Sequence, residues 1–212
     1  MRRLTALAAC LAALAFIQPP PAAPQAAARA AQQVRDTREK AVEVIRAMGL
    51  EPGMTVADVG AGWGFMTPFL SEAVGPSGRV IAQDIDAGTL RRAEETARER
   101  NLANVTFVVG TKTDPKLPEG SADAALVRDA YHHFDQHEAM LAAVRKALRP
   151  GGRLAIVDYY KRPGAMRGMD AVKHIRADED QVVKEIEQAG FRLLSRAVHV
   201  EGSQYLLVFA RE

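Results

Sequence analysis

The sequence predicts an α/β fold: a mostly parallel sheet with helices on both faces and an antiparallel hairpin at its C-terminal side. Three observations carry that expectation. From residue 55 onward, short apolar runs alternate with amphipathic segments of helical spacing, the order that builds parallel strands joined by right-handed crossovers. A glycine-rich turn, DVGAGWGF at residues 58–65, links the first run to the first segment. The last two runs are joined by a short turn containing Glu201-Gly202, too short for a crossover, so they pair as a hairpin.

The elements follow in order. Residues 34–50 place Val42, Ile45 and Met48 at helical spacing and stop at Glu51-Pro52-Gly53, which predicts a leading helix. A strand over 55–59, a helix over 66–74, a strand over 79–83, a helix over 87–100 and a strand over 105–110 come next. The rhythm continues with a strand over 124–127, a helix over 138–148 and a strand over 153–157. A helix over 179–189 is stopped by Gly190, and strands over 191–200 and 205–210 close the series. Residues 161–177, rich in Gly, Met and Arg and carrying His174, show no period and read either as a mobile cover or as an ordinary crossover loop.

With 212 residues, 48% apolar and 25% charged, the chain can bury one full core. A net charge of +2 without a lysine-rich or arginine-rich block supplies no electrostatic footprint for nucleic acid. The one cysteine, Cys10, precedes the folded part, which therefore has no disulfide, no Cys-based metal site and no cysteine nucleophile.

Residues 1–28 have the layout of an export signal. Arg2 and Arg3 precede an apolar run over 4–17, followed by proline and alanine with no acid before Asp36. About 14 apolar residues fall short of the about 20 that span a bilayer, which favours a signal peptide over an N-terminal anchor. Ala26 and Ala28 offer a small-x-small cleavage site. Removing Arg2 and Arg3 from the 28 basic residues leaves 26 against 26 acidic ones, a neutral mature protein exported to the periplasm or envelope. If uncleaved, the leader would tether it, on the cytoplasmic face in the alternative case, and would be its only link to a membrane.

Gly60, Gly62 and Gly64 run G-x-G-x-G, whereas a dinucleotide fingerprint requires G-x-G-x-x-G and Phe65 stands where its third glycine belongs. A pyrophosphate is therefore disfavoured, and with it a nicotinamide-dependent oxidoreductase. A tight turn needing positive φ would alone explain such glycines. Asp84 ends the next strand at the distance where a carboxylate accepts hydrogen bonds from ribose hydroxyls, and Asp86 is placed to cap the following helix. Trp63 could cover a ligand or pack on the leading helix.

Together, DVGAGWGF, the strand end VIAQDID, the segment GSADAALVRDAYHHF and the turn LRPGGRLAIVDYY resemble the class I S-adenosylmethionine-dependent methyltransferases. The resemblance implies a Rossmann-like seven-stranded sheet over residues 29–212, with S-adenosylmethionine as cofactor. It assigns Asp58 and the turn of Gly60, Ala61, Gly62 and Gly64 to the cofactor's methionine part, and Asp84 and Ile85 to its ribose side. Thr111, in place of the acid many relatives carry there, and Arg128 complete the implied cofactor set. That ligand has no phosphate, which accounts for the missing third glycine.

Methyl transfer asks the protein chiefly to align an acceptor behind the methyl group and exclude water. In open α/β sheets the crevice lies beyond the carboxyl ends of the strands, which directs attention to residues 128–134 and 158–160. Tyr131 and Asp129 end the fourth strand and are expected to line the crevice. His132 and His133 could exchange a proton near neutral pH, and Tyr131, Asp129 and His132 are the catalytic candidates. Alternatively, His132-His133-Phe134 merely leads into the next helix, with Asp135 as N-cap and Glu138 completing a capping box. His132, His133, His137 and His174 show no helical pair with an acid at ligand spacing, so no metal is expected. The acceptor is expected to be a small molecule and not nucleic acid, since there is neither a basic patch nor an Asn-Pro-Pro-Tyr type segment. A non-catalytic module that binds S-adenosylmethionine or its demethylated product is the alternative.

Overall fold

The computed structural model describes residues 23–212, so residues 1–22 of the expected leader lie outside the described residues. The chain divides into two units, Met1–Asp36 and Thr37–Glu212. In the first, residues 23–36 are helical and residues 26–36 are exposed, with the Gln32 amide donating to Asp36 at 2.6 Å. They belong to helix α1, Ala23–Met48, which starts earlier than the expected residue 34. The added turns are rich in alanine, a strong helix former, and bury nothing, so no apolar stripe announced them. No helix among the described residues is long and apolar enough to cross a membrane.

The second unit holds a seven-stranded sheet. Its elements are β1 Thr55–Val59, α2 Thr67–Val74, β2 Arg79–Asp84, α3 Ala87–Glu99, β3 Val105–Val109 and β4 Ala122–Arg128. A 3-10 turn over Tyr131–His133, α4 His137–Ala147, β5 Leu148–Tyr159, α5 Ala171–His174, α6 Glu179–Gln188, β6 Phe191–Val200 and β7 Gln204–Arg211 follow. The strand order is β3-β2-β1-β4-β5-β7-β6. β7 runs antiparallel to both β5 and β6 and is inserted between them, so β6 takes the edge.

Alternate residues of the same strands feed two cores. Val56, Leu126, Ala155 and Val157 pack with Ala41, Val44 and Met48 of α1 and with Leu70 and Val74 of α2. Ala57, Val127, Leu154 and Ile156 face the other way onto Met140, Leu141 and Val144 of α4 and Val182 and Ile186 of α6. Burial on both faces is why these strands read as continuous apolar runs. β5 begins five residues before the expected Arg153: Leu148 already pairs with Ala122, and a register shift absorbs the Pro150-Gly151-Gly152 stretch before Arg153 pairs with Ala124.

The chain leaves β1 for β2 on one side and meets β4 on the other. The carboxyl ends of β1 and β4 therefore flank the point where strand order reverses, the place where open α/β sheets bind ligands.

Candidate active site

At that point lies a cavity of about 470 Å³. One wall is Gly60, Gly62, Gln83, Asp84 and Ile85; the facing wall includes Asp129, Ala130, His133 and Phe134. A larger hollow of about 750 Å³ sits at the opposite end of the strands, beside Thr55, Arg79 and Asn104, with none of these groups near it.

The glycine turn needs its glycines. Gly60, Gly62 and Gly64 have φ of 74°, 55° and 76°, a region that side chains disfavour. A Cβ on Gly60 would meet Ala130 Cβ at 2.6 Å, whereas one on Gly62 would find nothing within 4 Å. The first glycine lets β1 and β4 close up; the second leaves backbone open to the cavity. The N–H groups of Gly60 and Ala61 both donate to the Gln83 carbonyl, at 2.9 and 2.8 Å, which ties the turn to β2. Gly64 packs against α3, where a Cβ would stand 3.2 Å from that of Ala93.

Asp84 is fixed by two backbone donors, Gly62 N–H on Oδ2 at 2.9 Å and Asp86 N–H on Oδ1 at 3.0 Å. Both oxygens keep a lone pair for ligand hydroxyls. Ile85 beside it is 52% exposed and offers an apolar face to the same cavity. Asp58 lies beneath the turn, almost fully buried, with the Thr67 hydroxyl donating to it at 3.3 Å. Burial raises its carboxyl from the ordinary 3.8 to about 7, against the pull of Thr67 and Arg128 and with a further push from Asp84. Among the described residues no cation stands within ion-pair distance of it. A buried carboxyl without a cation, an open glycine cradle and a paired acid at the neighbouring strand end fit a ligand with an ammonium group and a ribose.

Of the nine implied cofactor residues, Gly60, Gly62, Asp84 and Ile85 line the cavity, while Asp58, Ala61, Gly64, Thr111 and Arg128 do not. Thr111 is spent on its own turn, donating its N–H to the Asp114 carbonyl at 2.8 Å and accepting Asp114 N–H at 3.1 Å, and Lys112 lines the cavity in its place. Arg128 pairs with Asp129 at 2.8 Å and stacks over the Phe65 ring at 4.2 Å; it bridges turn and strand outside the cavity lining. Trp63 does not line the cavity. It is 69% exposed beside Asp86, Gly88 and Arg91 at the start of α3.

The acceptor side departs most from expectation. Tyr131 does not line the crevice. The 3-10 turn after β4 swings it into the core, where its hydroxyl donates to Glu185 Oε2 at 2.9 Å. Burial and then the Glu185 charge raise its phenol far above the ordinary range, so it cannot serve as a base. Glu185 is held in turn by both guanidinium nitrogens of Arg176, at 2.8 and 2.6 Å. Asp129 does line the cavity, in a left-handed conformation at φ 52°, which is strained for a residue with a Cβ. Its carboxyl is raised by burial, opposed by Arg128 and reinforced by Asp158, and Gln204 donates to it from β7.

His132 is buried against Asp158 at the end of β5. Its N–H donates to Asp158 Oδ2 at 2.9 Å and its Nδ1 lies 2.7 Å from Oδ1. The contact ties Nδ1 to the carboxyl group and leaves Nε2 as the ring nitrogen on the far side. The expected capping box does not form: α4 starts at His137 after Gln136, with no side-chain cap. Residues 161–177 are pinned. Ala165, Ala171 and Ile175 form a small apolar cluster with Tyr159 and Tyr160, Ser203 donates to the Ala165 carbonyl at 2.6 Å, and Lys161 donates to the Arg176 carbonyl at 2.9 Å.

Residues 56–152 match the family described as the methyltransferase domain. The ubiquinone/menaquinone biosynthesis C-methyltransferase of Shewanella pealeana is 28% identical over 118 residues, 55% of this chain and 47% of that protein. Its counterpart in Hahella chejuensis is 29% identical over 114 residues, 53% of this chain and 46% of that protein. The chain thus spans about half the length of the curated relatives it matches. Among solved structures, a SAM dependent methyltransferase from Aquifex aeolicus is similar with a TM-score of 0.76 at 26% identity, over 81% of this chain and 89% of that one.

Sequence reasoning missed two groups of the cavity wall, Gln83 and Lys112. Gln83 lies in the cavity wall, and its Nε2 is buried without a partner among the described residues; a polar side chain inside the apolar run VIAQD was the available signal. Lys112 carried no pattern to single it out. Of the pair noted for proton exchange, His133, not placed among the catalytic candidates, faces the cavity, while His132 faces Asp158.

Proposed function

We propose that the methyltransferase domain transfers the methyl group of S-adenosylmethionine to a small-molecule acceptor seated against the ends of β4 and β5. The observation that carries this reading is the pairing of the open Gly62 cradle with the Asp84 carboxylate at the point of strand reversal. The sulfonium supplies an activated methyl group, and the residues do the rest. Asp58 offers a buried countercharge for the ammonium, Asp84 accepts from the ribose hydroxyls, and Ile85 covers an apolar face. Asp129 and His133, across the cavity, bound the space in which an acceptor atom could stand behind the methyl carbon. Alignment and exclusion of water are the main demands of such a displacement.

The curated relatives and the fold support a small acceptor: Shewanella pealeana's protein acts in quinone biosynthesis, and a geranyl diphosphate C-methyltransferase of Streptomyces coelicolor has the same fold, at 15% identity and a TM-score of 0.68 over 82% of this chain and 76% of that one. Residues 1–28, read as an export signal, would place residues 29–212 in the periplasm or envelope.

Calorimetry with S-adenosylhomocysteine, followed by product analysis with S-adenosylmethionine and a panel of quinols, phenols, thiols and amines, tests the proposal. Binding with methylated product supports it. Binding with no product from any acceptor favours a non-catalytic binding module, and no binding at all overturns both.

A further inference from the structure

We propose that His132, His133 and His174 form a three-imidazole site for a divalent transition metal of the zinc type, at the acceptor side of the cavity. Each residue offers one ligand nitrogen, and these atoms lie within 4.8 Å of one another. The rings converge: centroids are 4.0 Å apart for His132 and His133, 5.1 Å for His132 and His174, and 5.3 Å for His133 and His174. Nitrogens bound at about 2.0–2.1 Å around a tetrahedral ion stand about 3.3 Å apart. The distances therefore close by about 1.5 Å at most, within reach of side-chain rotation at exposed His133 and half-buried His174.

A second observation points the same way. Asp158, itself 1% exposed, accepts from His132 Nδ1 at 2.7 Å and is held by the N–H groups of His132 and Tyr159, at 2.9 and 2.8 Å. A buried carboxylate that fixes one ring nitrogen and leaves the other free is the arrangement that orients metal-binding histidines. His174 is held to its post by α5, whose N-cap Asp170 accepts Val172 N–H at 3.1 Å, and by the Ala165, Ala171 and Ile175 cluster. Three nitrogen donors suit zinc and its transition-metal neighbours, and exclude magnesium and calcium, which require oxygen.

Three protein ligands leave a tetrahedral ion one position, and His133 places it beside the cavity. That this position holds the acceptor rests on the methyl-transfer reading; the site itself does not. An acceptor with an ionisable oxygen or sulfur would enter there as its anion, its proton going to solvent. Attack then forms the bond to the methyl carbon and breaks that carbon's bond to sulfur, leaving a neutral thioether. No protein base is needed, which suits a crevice where Tyr131 is locked away.

The test uses the full chain without a polyhistidine tag, stripped with a chelator and titrated with Zn²⁺ and, separately, Co²⁺. One equivalent of metal per chain is expected, with visible absorption bands of tetrahedral Co²⁺. His133→Ala and His174→Ala should each weaken Zn²⁺ binding at least about 100-fold, Asp158→Asn about 10- to 100-fold, and His174→Cys should restore it. Circular dichroism of each variant separates loss of a ligand from loss of fold, and His174→Cys supplies the same control in the positive sense. Binding below one equivalent, or binding unchanged in the His133→Ala/His174→Ala double variant, overturns the site. Because metal is read directly, failure here is distinct from failure to bind S-adenosylhomocysteine, measured on the same samples.

Discussion

Asp58→Asn should stabilise the ligand-free protein while weakening its affinity for the cofactor. The carboxyl is raised from 3.8 to about 7 by burial, and at about 1.4 kcal/mol per decade the deficit at pH 8 is at most about 4 kcal/mol. The sign follows from which state holds the proton. Below pH about 4 the group is neutral in both folded and unfolded chains and contributes nothing. Between about 4 and 7 the unfolded chain ionises while the folded one stays protonated, so stability falls across that window and stays low above it. Asparagine keeps an acceptor for the Thr67 hydroxyl and carries no charge at any pH. Local relaxation relieves part of the cost, so a gain of about 2 kcal/mol is expected at pH 8, or roughly 4–8 °C in melting temperature for a domain of this size. Differential scanning calorimetry of ligand-free wild type and variant at pH 8 and pH 5 reads it, and the gap should fall to under half at pH 5. Affinity for S-adenosylhomocysteine should drop about 10- to 100-fold, and in the wild type it should rise with pH up to about 7. A variant that melts below wild type at pH 8, or a gap that does not change with pH, would refute the argument.

Gly60→Ala adds a strained φ and a Cβ 2.6 Å from that of Ala130, so it should destabilise by at least about 2 kcal/mol; Gly62→Ala meets no neighbour, so urea unfolding should show about 1 kcal/mol while calorimetry shows weakened cofactor binding. Asp84→Asn should weaken S-adenosylhomocysteine binding at least about 10-fold with little change in melting temperature. Tyr131→Phe leaves the buried Glu185 one donor short, so it should cost about 1–2 kcal/mol of stability and leave turnover per folded enzyme near wild type. Cell fractionation should find residues 29–212 outside the cytoplasm; full-length soluble protein inside it would count against the export signal.

Most of the fold was legible because strands buried on two faces announce themselves as apolar runs. β1 was expected at 55–59 and lies at Thr55–Val59, and β6 at 191–200 lies at Phe191–Val200. The start of β5 was hidden because Pro150-Gly151-Gly152 has the composition of a turn, while pairing with β4 is a tertiary fact. The position of β7 between β5 and β6 was hidden for the same reason: a hairpin signal says which strands pair, not which one faces the sheet. At the site, the glycines were readable because positive φ leaves a mark in the sequence. The acceptor wall was not. Whether Tyr131 or His133 turns toward the cavity depends on one 3-10 turn and on Glu185, 54 residues further along the chain. His174 meets His132 from 42 positions further along the chain, out of residues 161–177, which show no period.

The inserted strand β7 has a consequence for biosynthesis. It is made after the other six, yet both of its neighbours wait for its backbone groups: β5 on one side and β6 on the other have an open edge until residues 204–211 emerge. The sheet therefore cannot close before residues 204–211 are available, and until then the chain stays threadable. For a protein proposed to cross a membrane before it works, such late closure keeps the translocation route open, and deleting residues 204–211 should leave a product that proteases clear from the cell.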